Sequence, residues 1–166
     1  MSAEAAAPDG PAFLAPLTLF ALAPPSLALL VLRLALARPF FASGLTRWDG
    51  WFTLSFGTNM LFADEYRLHL FGQQIPFPYP EFVAVIASTG EIVLPILLAV
   101  GLLTRYAALG LFAMTAVIEF VYPDGWANFH LPWAAMALGL MAFGPGALLL
   151  DRLIGLDGYS RARRPS

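Results

Sequence analysis

One apolar run, long enough to cross a bilayer, constrains this chain more than any other feature. The segment Phe82–Leu103 carries a single charged residue, Glu91, close to its middle. An α-helix rises about 1.5 Å per residue, so about 20 apolar residues cross the ~30 Å hydrocarbon layer. A carboxylate at mid-span is costly and usually faces a helix bundle, a partner charge or a functional cavity. The sequence therefore predicts a membrane helix with polar surroundings at Glu91.

The composition of the whole chain also favours a membrane location. Hydrophobic residues make up 59% of the chain and charged residues 12%, whereas a soluble domain has about 25% charged residues. A chain so poor in charge cannot cover a water-facing surface. Its basic residues form no cluster with interleaved aromatic residues, which argues against nucleic-acid binding.

The residue types in the chain restrict the chemistry of a site that it could form alone. There is no cysteine, which excludes disulfides, iron–sulfur clusters and thiolate metal sites. With two histidines on different segments and no cysteine, the chain alone can hardly ligate haem through two imidazoles or build a typical zinc or copper site. No phosphate-binding glycine loop and no nucleophile elbow occur. We expect no metal and no cofactor held by the chain alone, so electron transfer would need a diffusible quinone or a partner subunit. Whether the chain is an enzyme is left open.

Turn signals divide the rest of the chain into further apolar spans. Pro24-Pro25 precedes a first span, Thr104-Arg105 separates the second from the third, and a turn at Pro123 precedes the fourth. The prediction is an all-α protein, a four-helix transmembrane bundle. Its spans cover about 26–45, 82–103, 106–121 and 131–150 of a membrane domain over residues 26–153, between an N-terminal tail and interfacial segment (1–25) and a basic cytoplasmic tail (154–166).

The connection between the first two spans, residues 46–81, is long and polar. It is rich in aromatic residues and ends in alternating prolines, IPFPYP, which favour an extended lead-in to the next helix. These features are typical of an interfacial cap. We expect a short helix near Leu54–Leu70 within it.

The placement of arginines predicts the orientation. Four spans put both termini on one side of the membrane, and positive charge prefers the cytoplasm. The opposite loops hold only Arg47 and Arg67. Both termini are therefore expected to be cytoplasmic, and the aromatic-rich loop between helices 1 and 2 extracytoplasmic. The arginines on the side of the termini are Arg105, Arg152, Arg161, Arg163 and Arg164.

Charged residues inside the predicted spans are the main candidates for a site. Arg38 lies well inside the first span and Glu91 inside the second, and antiparallel neighbours would bring both to mid-depth, where they can meet. One interpretation is an ion pair that only fixes helix register, since such pairs contribute little net stability. The other is a polar pocket, with Ser88 on the same helix face as Glu91, that binds a quinone head group, a small anion or a proton.

A second group lies towards the outer ends of the third and fourth spans. A carboxylate such as Glu119 near His130 can relay protons, because imidazole titrates near neutral pH. The alternative is an interfacial histidine that anchors the helix end together with Trp126. The candidate ligand-binding residues are Arg38, Ser88, Glu91, Glu119, His130 and Trp133.

Five parts of the sequence form a recognisable pattern. They are the spacing Arg33…Gly44…Arg47, the loop stretch LFADEYRL, the helix stretch ASTGEIVLPILLAVGLLTRYAALGL, the segment VIEFVYPDGWANFHLPW and the closing GPGALLLD. Together they resemble the DoxX family of small bacterial membrane proteins, over about residues 32–153. The resemblance implies four transmembrane helices in the bacterial inner membrane. The positions that it marks include Arg33, Gly44, Glu91, Arg105, His130, Trp133 and Asp151.

The resemblance also implies a function. Some members of the DoxX family are the membrane subunit of a thiosulfate:quinone oxidoreductase. We therefore expect an accessory membrane subunit of a quinone-linked oxidoreductase, held in the lipid bilayer with a partner subunit or as a homo-oligomer. The alternative is a non-catalytic membrane scaffold or a small-solute permease. Four short spans without an internal repeat argue against a self-sufficient carrier.

Overall fold

The structure, a computed structural model, describes residues 25–146 of the chain. It is mostly helical, and three of its helices, α1, α3 and α4 in the order below, are long and apolar enough to cross a membrane. In chain order the elements are α1 (Pro25–Leu45), β1 (Trp48–Gly50), β2 (Thr53–Leu54), α2 (Phe56–Met60), a π-helical turn (Leu61–Glu65), β3 (Arg67–Leu70), β4 (Gln73–Pro76), α3 (Pro80–Val100), α4 (Thr104–Val121), a 3-10 turn (Pro123–Gly125), a second π-helical turn (Trp126–His130) and α5 (Leu131–Phe143).

The three long helices begin and end within three residues of the first three predicted spans. Helix α5 begins at Leu131, where the fourth span is predicted to begin, and it ends at Phe143, before a glycine with a positive φ of 75°. The remaining predictions lie outside the described residues. These are the segment before residue 25, the end of the fourth span, Asp151 and the basic tail.

Helices α1 and α3 run antiparallel and touch closely at Gly44. A Cβ atom on Gly44 would lie 2.9 Å from the backbone carbonyl of Glu91, so only glycine permits this approach. This contact places the last turn of α1 level with the middle of α3.

At the other end of the molecule, Arg105 donates to the carbonyl oxygen of Met141, and Gly146 lies against Ser26 at the start of α1.

Helices α3 and α4 are joined by a short turn, in which Gly101 has a φ of 73°. Two glycines let these helices approach each other. A Cβ atom on Gly110 would lie 2.8 Å from Leu94 Cδ1, and one on Gly90 would lie 3.2 Å from Met114 Sδ. The two helices are thus in close contact between the turn and the level of Gly90.

One hydrophobic core joins α1, α3, α4 and α5. Each helix contributes a fully buried leucine, namely Leu36, Leu98, Leu111 and Leu140. In hydrocarbon surroundings such residues act mainly through close packing, because lipid chains are as apolar as leucine. This core occupies the half of the molecule near the α3–α4 turn, whereas Glu91 lies towards the other half.

The connection between α1 and α3 differs from the prediction. The sequence predicts a short helix near Leu54–Leu70, and a short helical segment, α2 with the π-helical turn after it, lies there. The antiparallel hairpins β1–β2 and β3–β4 that flank this segment are not predicted. In the second hairpin Leu70 pairs with Gln73, and the two loop residues, Phe71 and Gly72, both have positive φ. Asparagine or glycine usually takes the first of these positions. Because phenylalanine rarely has a positive φ, residue preferences do not predict a turn at this position.

Candidate functional site

Glu91 forms a bidentate ion pair with Arg47. Arg47 Nε donates to Glu91 Oε2 at 3.0 Å, and Arg47 Nη2 donates to Glu91 Oε1 at 3.3 Å. The two side chains are 13% and 7% exposed, so the pair is largely shielded. Two N–H···O contacts between one guanidinium and one carboxylate are stronger and more directional than a single contact. The carboxylate that the sequence singles out therefore has a well-defined charged partner.

Arg47 also connects the loop to α1. Its Nη1 donates to the hydroxyl of Tyr66 at 3.2 Å, and its Nη2 donates to Ser43 Oγ at 3.3 Å. The guanidinium carbon lies 5.9 Å from the centre of the Phe62 ring, which is within the range of a cation–π interaction. One side chain thus joins α1, the loop and α3.

The predicted pairing of Glu91 with Arg38 is wrong. Arg38 is exposed, and Arg47, which follows the end of α1, holds the carboxylate instead. The close contact at Gly44 sets this register, because it brings the last turn of α1 level with Glu91. Arg38 lies six residues before Gly44, or about 9 Å along the helix axis. The prediction placed the midpoints of the two spans at the same depth. The contact at Gly44 instead shifts α1 along α3, so that the end of α1 is level with Glu91.

Burial and neighbouring charges act on the ionisation of the groups around the pair. Burial opposes the charged form of Arg47, but the hydrogen bond and charge of Glu91, together with Tyr66, outweigh it, so the pKa of Arg47 is raised. The pKa of Tyr122 is also raised, first by burial, then by the neighbouring Tyr66 and the charge of Glu65. The cluster therefore keeps a cationic guanidinium and a protonated Tyr122 hydroxyl at neutral pH.

A cavity of about 430 Å³ lies beside the ion pair. This volume is within the range typical of small-molecule sites. The polar residues that line it are Ser43, Arg47, Tyr66, Glu91 and Tyr122. The apolar and aromatic residues that line it are Pro39, Phe40, Phe62, Phe77, Val83, Ile86, Ala87, Ala113, Met114, Val117, Ile118, Val121 and Trp133. An apolar chamber with a small polar cluster suits an amphipathic ligand.

Glu119 and His130, the second predicted group, contact each other. His130 Nδ1 and Glu119 Oε2 are 2.6 Å apart. His130 is buried, and its ring lies so close to Gly125 that a Cβ atom there would be 2.6 Å from its Cε1 atom. The ring of Trp133 packs at 5.6 Å from that of His130 and also lines the cavity. The pair therefore joins the start of α5 to the end of α4, one aromatic ring away from the cavity.

The remaining predicted residues that the structure describes do not line the cavity. Ser88 is buried on α3, and within the described part of the chain its Oγ has no hydrogen-bond partner. Arg33 is buried on α1, and Arg105 donates to the Met141 carbonyl oxygen at 2.9 Å. Asp151 lies outside the described residues. Between residues 25 and 146, no group of three or more histidine, aspartate or glutamate side chains is placed to hold a metal ion.

Sequence reasoning missed the polar groups contributed by the loop and the helix ends. It gave no role at Glu91 to Ser43, Tyr66 or Tyr122, and it counted Arg47 as a loop charge. One local signal was present, because Gly44 three residues before Arg47 is typical of a close helix contact. No local signal connects Tyr66 or Tyr122 to α3, since Tyr66 reaches the cluster through the folding of the loop and Tyr122 lies at the end of α4, where it packs against Tyr66.

Similarity to known proteins extends over the elements that form this cluster. Residues 28–123 match the DoxX family. The chain is also 33% identical over 139 residues to an uncharacterized protein of Haemophilus influenzae, an alignment that covers 76% of this chain and 83% of that protein. No solved structure matches the chain. The family match includes Arg47, Tyr66 and Glu91.

Proposed function

This chain belongs to the DoxX family, and from that membership and the cluster at Glu91 we propose that it is a membrane subunit that binds a quinone for a quinone-linked oxidoreductase. One observation carries the proposal. An apolar cavity of about 430 Å³ is lined at one place by the Arg47–Glu91 pair and two tyrosines. A quinone has matching chemistry, because its carbonyl oxygens accept hydrogen bonds while its ring and tail are apolar.

Arg47 and Glu91 supply complementary hydrogen-bonding groups. A guanidinium has five N–H groups, and Arg47 uses four hydrogen bonds to hold Glu91, Tyr66 and Ser43. The remaining N–H, on Nη1, is left for a ligand carbonyl oxygen. The carboxylate of Glu91 can accept a hydrogen bond from a ligand hydroxyl. The cluster can therefore bind both the carbonyl and the hydroxyl form of a quinone.

The chain crosses the membrane four times in this proposal, with α5 and the turns before it as the fourth span. The helix itself has 13 residues, Leu131–Phe143, and 3-10 and π-helical turns precede it from Pro123 to His130. His130, just before α5, contacts Glu119 near the loop end of α4, and Arg105, at the start of α4, donates to Met141 near the end of α5. This segment thus extends from one end of α4 to the other.

Arginine placement supports cytoplasmic termini in a bacterial inner membrane. Arg47 is engaged by Glu91, so Arg67 is the arginine of the α1–α3 connection that remains outside the ion pair. Positive charge favours the cytoplasmic side. The loop with its two hairpins then lies outside the cytoplasm. The arginines on the opposite side are Arg105, Arg152, Arg161, Arg163 and Arg164.

A partner subunit supplies the redox centre in this proposal. The chain has no cysteine for a thiolate centre, and its two histidines have separate partners, His69 beside the Phe120 carbonyl oxygen and His130 beside Glu119. Arg38 supports a partner, because it is exposed in the middle of an apolar helix. A charge in contact with hydrocarbon is costly, and an acidic group on a neighbouring helix would remove that cost.

The quinone content of the purified protein tests the proposal. We expect Arg47→Met to lower the amount of quinone extracted per protein by at least about tenfold. Arg38→Met is the matched control, since it makes the same change outside the cavity, and it keeps the quinone. The double variant Arg47→Met/Glu91→Met removes both charges together, so it folds but still lacks quinone.

Two results would overturn the proposal. One is a folded wild-type protein that carries no quinone when purified from quinone-containing membranes, and the other is equal retention by Arg47→Met and Arg38→Met. Co-purification of another protein in that case would favour the scaffold. Uptake of small solutes by proteoliposomes would favour the permease.

A further inference from the structure

We propose that the ligand enters the cavity from within the bilayer, through a lateral opening between α3 and α4 that is framed by Ile86 and Val117. The ligand would then be a molecule with a hydrogen-bonding head group and a long apolar chain that leaves through this opening. The inference rests on the proposed function of the cavity. It adds the route of entry and the class of ligand, a lipid-soluble amphiphile in place of a small water-soluble anion.

The exposure of Ile86 and Val117 locates the opening. Four residues of the lining are exposed: Ile86 at 56%, Val117 at 46%, Tyr122 at 50%, and Ala113. Three of them, Ile86, Ala113 and Val117, lie on α3 and α4. A residue that faces both a cavity and the surroundings marks the mouth of that cavity. Ile86 belongs to α3 and Val117 to α4, so the mouth lies between these two helices.

The same two helices close the cleft at the level of Gly90. A Cβ atom on Gly90 would lie 3.2 Å from Met114 Sδ, and one on Gly110 would lie 2.8 Å from Leu94 Cδ1. Met114 lines the cavity and therefore forms part of its floor. The two helices are in close contact between Gly90 and the α3–α4 turn, and the cavity lies on the other side of Gly90. The cleft between them therefore widens away from the turn.

Aromatic side chains cover the cavity in other directions. Phe62 is buried, and Phe77 is half-buried where the loop packs over the cavity. Towards α1 and α5, the rings of Phe40 and Trp133 pack against each other with centroids 5.1 Å apart. These rings cover part of the loop side and the side towards the core, whereas three of the four exposed lining residues lie on α3 and α4.

The opening lies within the apolar part of both helices. Ile86 follows the start of α3 at Pro80 by six residues, and Val117 precedes the end of α4 at Val121 by four. These distances are about 9 Å and 6 Å along the helix axes. Both helices have the length and composition of membrane spans. The mouth therefore faces hydrocarbon, and a molecule already dissolved in the bilayer reaches it without crossing water.

This placement explains how one ligand can satisfy both parts of the cavity. A head group can contact Arg47 and Tyr66, while an attached chain follows the apolar walls to Ile86 and Val117. The chain then continues into lipid, where its length is not limited by the volume of the cavity. A small anion would match Arg47 but leave the apolar walls without a partner.

The route of the chain can be read by photolabelling. The probe is a benzoquinone with a ten-carbon alkyl chain that ends in a diazirine, added to the full protein in lipid nanodiscs and activated by light. We expect labelled peptides from α3 near Ile86 and from α4 near Val117, and competition by unlabelled decyl-benzoquinone. Labels confined to the hairpins or to α1 would overturn the lateral opening.

Substitutions at the mouth give an independent test. Ile86→Trp and Val117→Trp add bulk at the opening, and we expect each to reduce competed labelling by at least about tenfold. Val85→Trp and Leu109→Trp are matched controls, because these residues are 45% and 48% exposed on the same helices and do not line the cavity. The controls keep labelling within about twofold of wild type.

Failure of this inference is distinguishable from failure of the proposed function. If Arg47→Met removes bound quinone but the two mouth variants behave like their controls, the cavity binds quinone and the lateral opening is wrong. If the wild-type protein shows no competed labelling and holds no quinone, the proposed function itself fails.

Discussion

Replacing Arg47 by methionine is expected to lower the free energy of unfolding by about 3–5 kcal/mol, the usual cost of removing one partner of a buried ion pair. Among residues 25–146, Arg47 is the only hydrogen-bond partner of the Glu91 carboxylate, which is 7% exposed. The variant therefore leaves a charge inside the protein with neither solvent nor a counter-ion. Methionine keeps most of the length of the arginine side chain, so the lost interaction dominates over lost packing.

The reverse substitution is expected to cost less. In Glu91→Met, Arg47 still donates to Tyr66 and Ser43 and is 13% exposed, so we expect a loss of about 1–3 kcal/mol. The double variant Arg47→Met/Glu91→Met replaces the pair by apolar groups of similar size, a change that is often neutral. We expect its free energy of unfolding to lie within about 2 kcal/mol of wild type. This loss is much smaller than the sum of the losses in the two single variants.

Reversible unfolding in mixed detergent micelles, followed by circular dichroism, measures the four free energies of this cycle. The order of the variants is as informative as the sizes. If the single effects simply add in the double variant, the two side chains do not interact in the folded protein. If Arg47→Met costs less than about 1 kcal/mol, Glu91 has another partner or faces solvent, and the assignment of the pair is wrong.

Two further predictions concern residues near the pair. Gly44→Ala should destabilise the protein by about 1–3 kcal/mol, because its Cβ atom would lie 2.9 Å from the Glu91 backbone. Gly139→Ala, on α5 with no atom within 4 Å of the added Cβ, is the control and should be neutral or stabilise the protein by up to about 1 kcal/mol. Equal losses of unfolding free energy in the two variants would refute the contact at Gly44. The second prediction concerns Tyr122, whose pKa is raised. Its contribution to stability is complete below pH ~10 and is lost as the pH rises through the higher folded-state pKa. Tyr122→Phe should weaken that pH dependence, as measured by unfolding at a series of alkaline pH values.

The helices could be predicted from sequence because their causes are local. The length of an apolar run and the turn residues at its ends, such as Gly101, fix where a membrane-length helix begins and ends. The need of Glu91 for polar surroundings follows from its position in such a run. Each of these properties is contained in a single segment.

The partner of Glu91 could not be predicted because it depends on how two segments are offset. Arg38 and Arg47 are both arginines near the first span, and the choice between them is made by the contact between Gly44 and the backbone of α3. Tyr66 reaches the cluster only because two hairpins fold the loop back over the helices. The turn that closes the second hairpin has phenylalanine at a position of positive φ, which residue preferences do not anticipate.

Arg47 binds the loop through Tyr66, α1 through Ser43 and α3 through Glu91. In the proposed function, the attachment of the loop and the recognition of a head group therefore share one guanidinium. A substitution of Arg47 that changes the contact with a head group would therefore also change the attachment of the loop. Divergence of ligand preference among related chains is then expected in wall residues such as Val83 and Phe77, whose replacement alters the shape of the chamber while the tether remains intact.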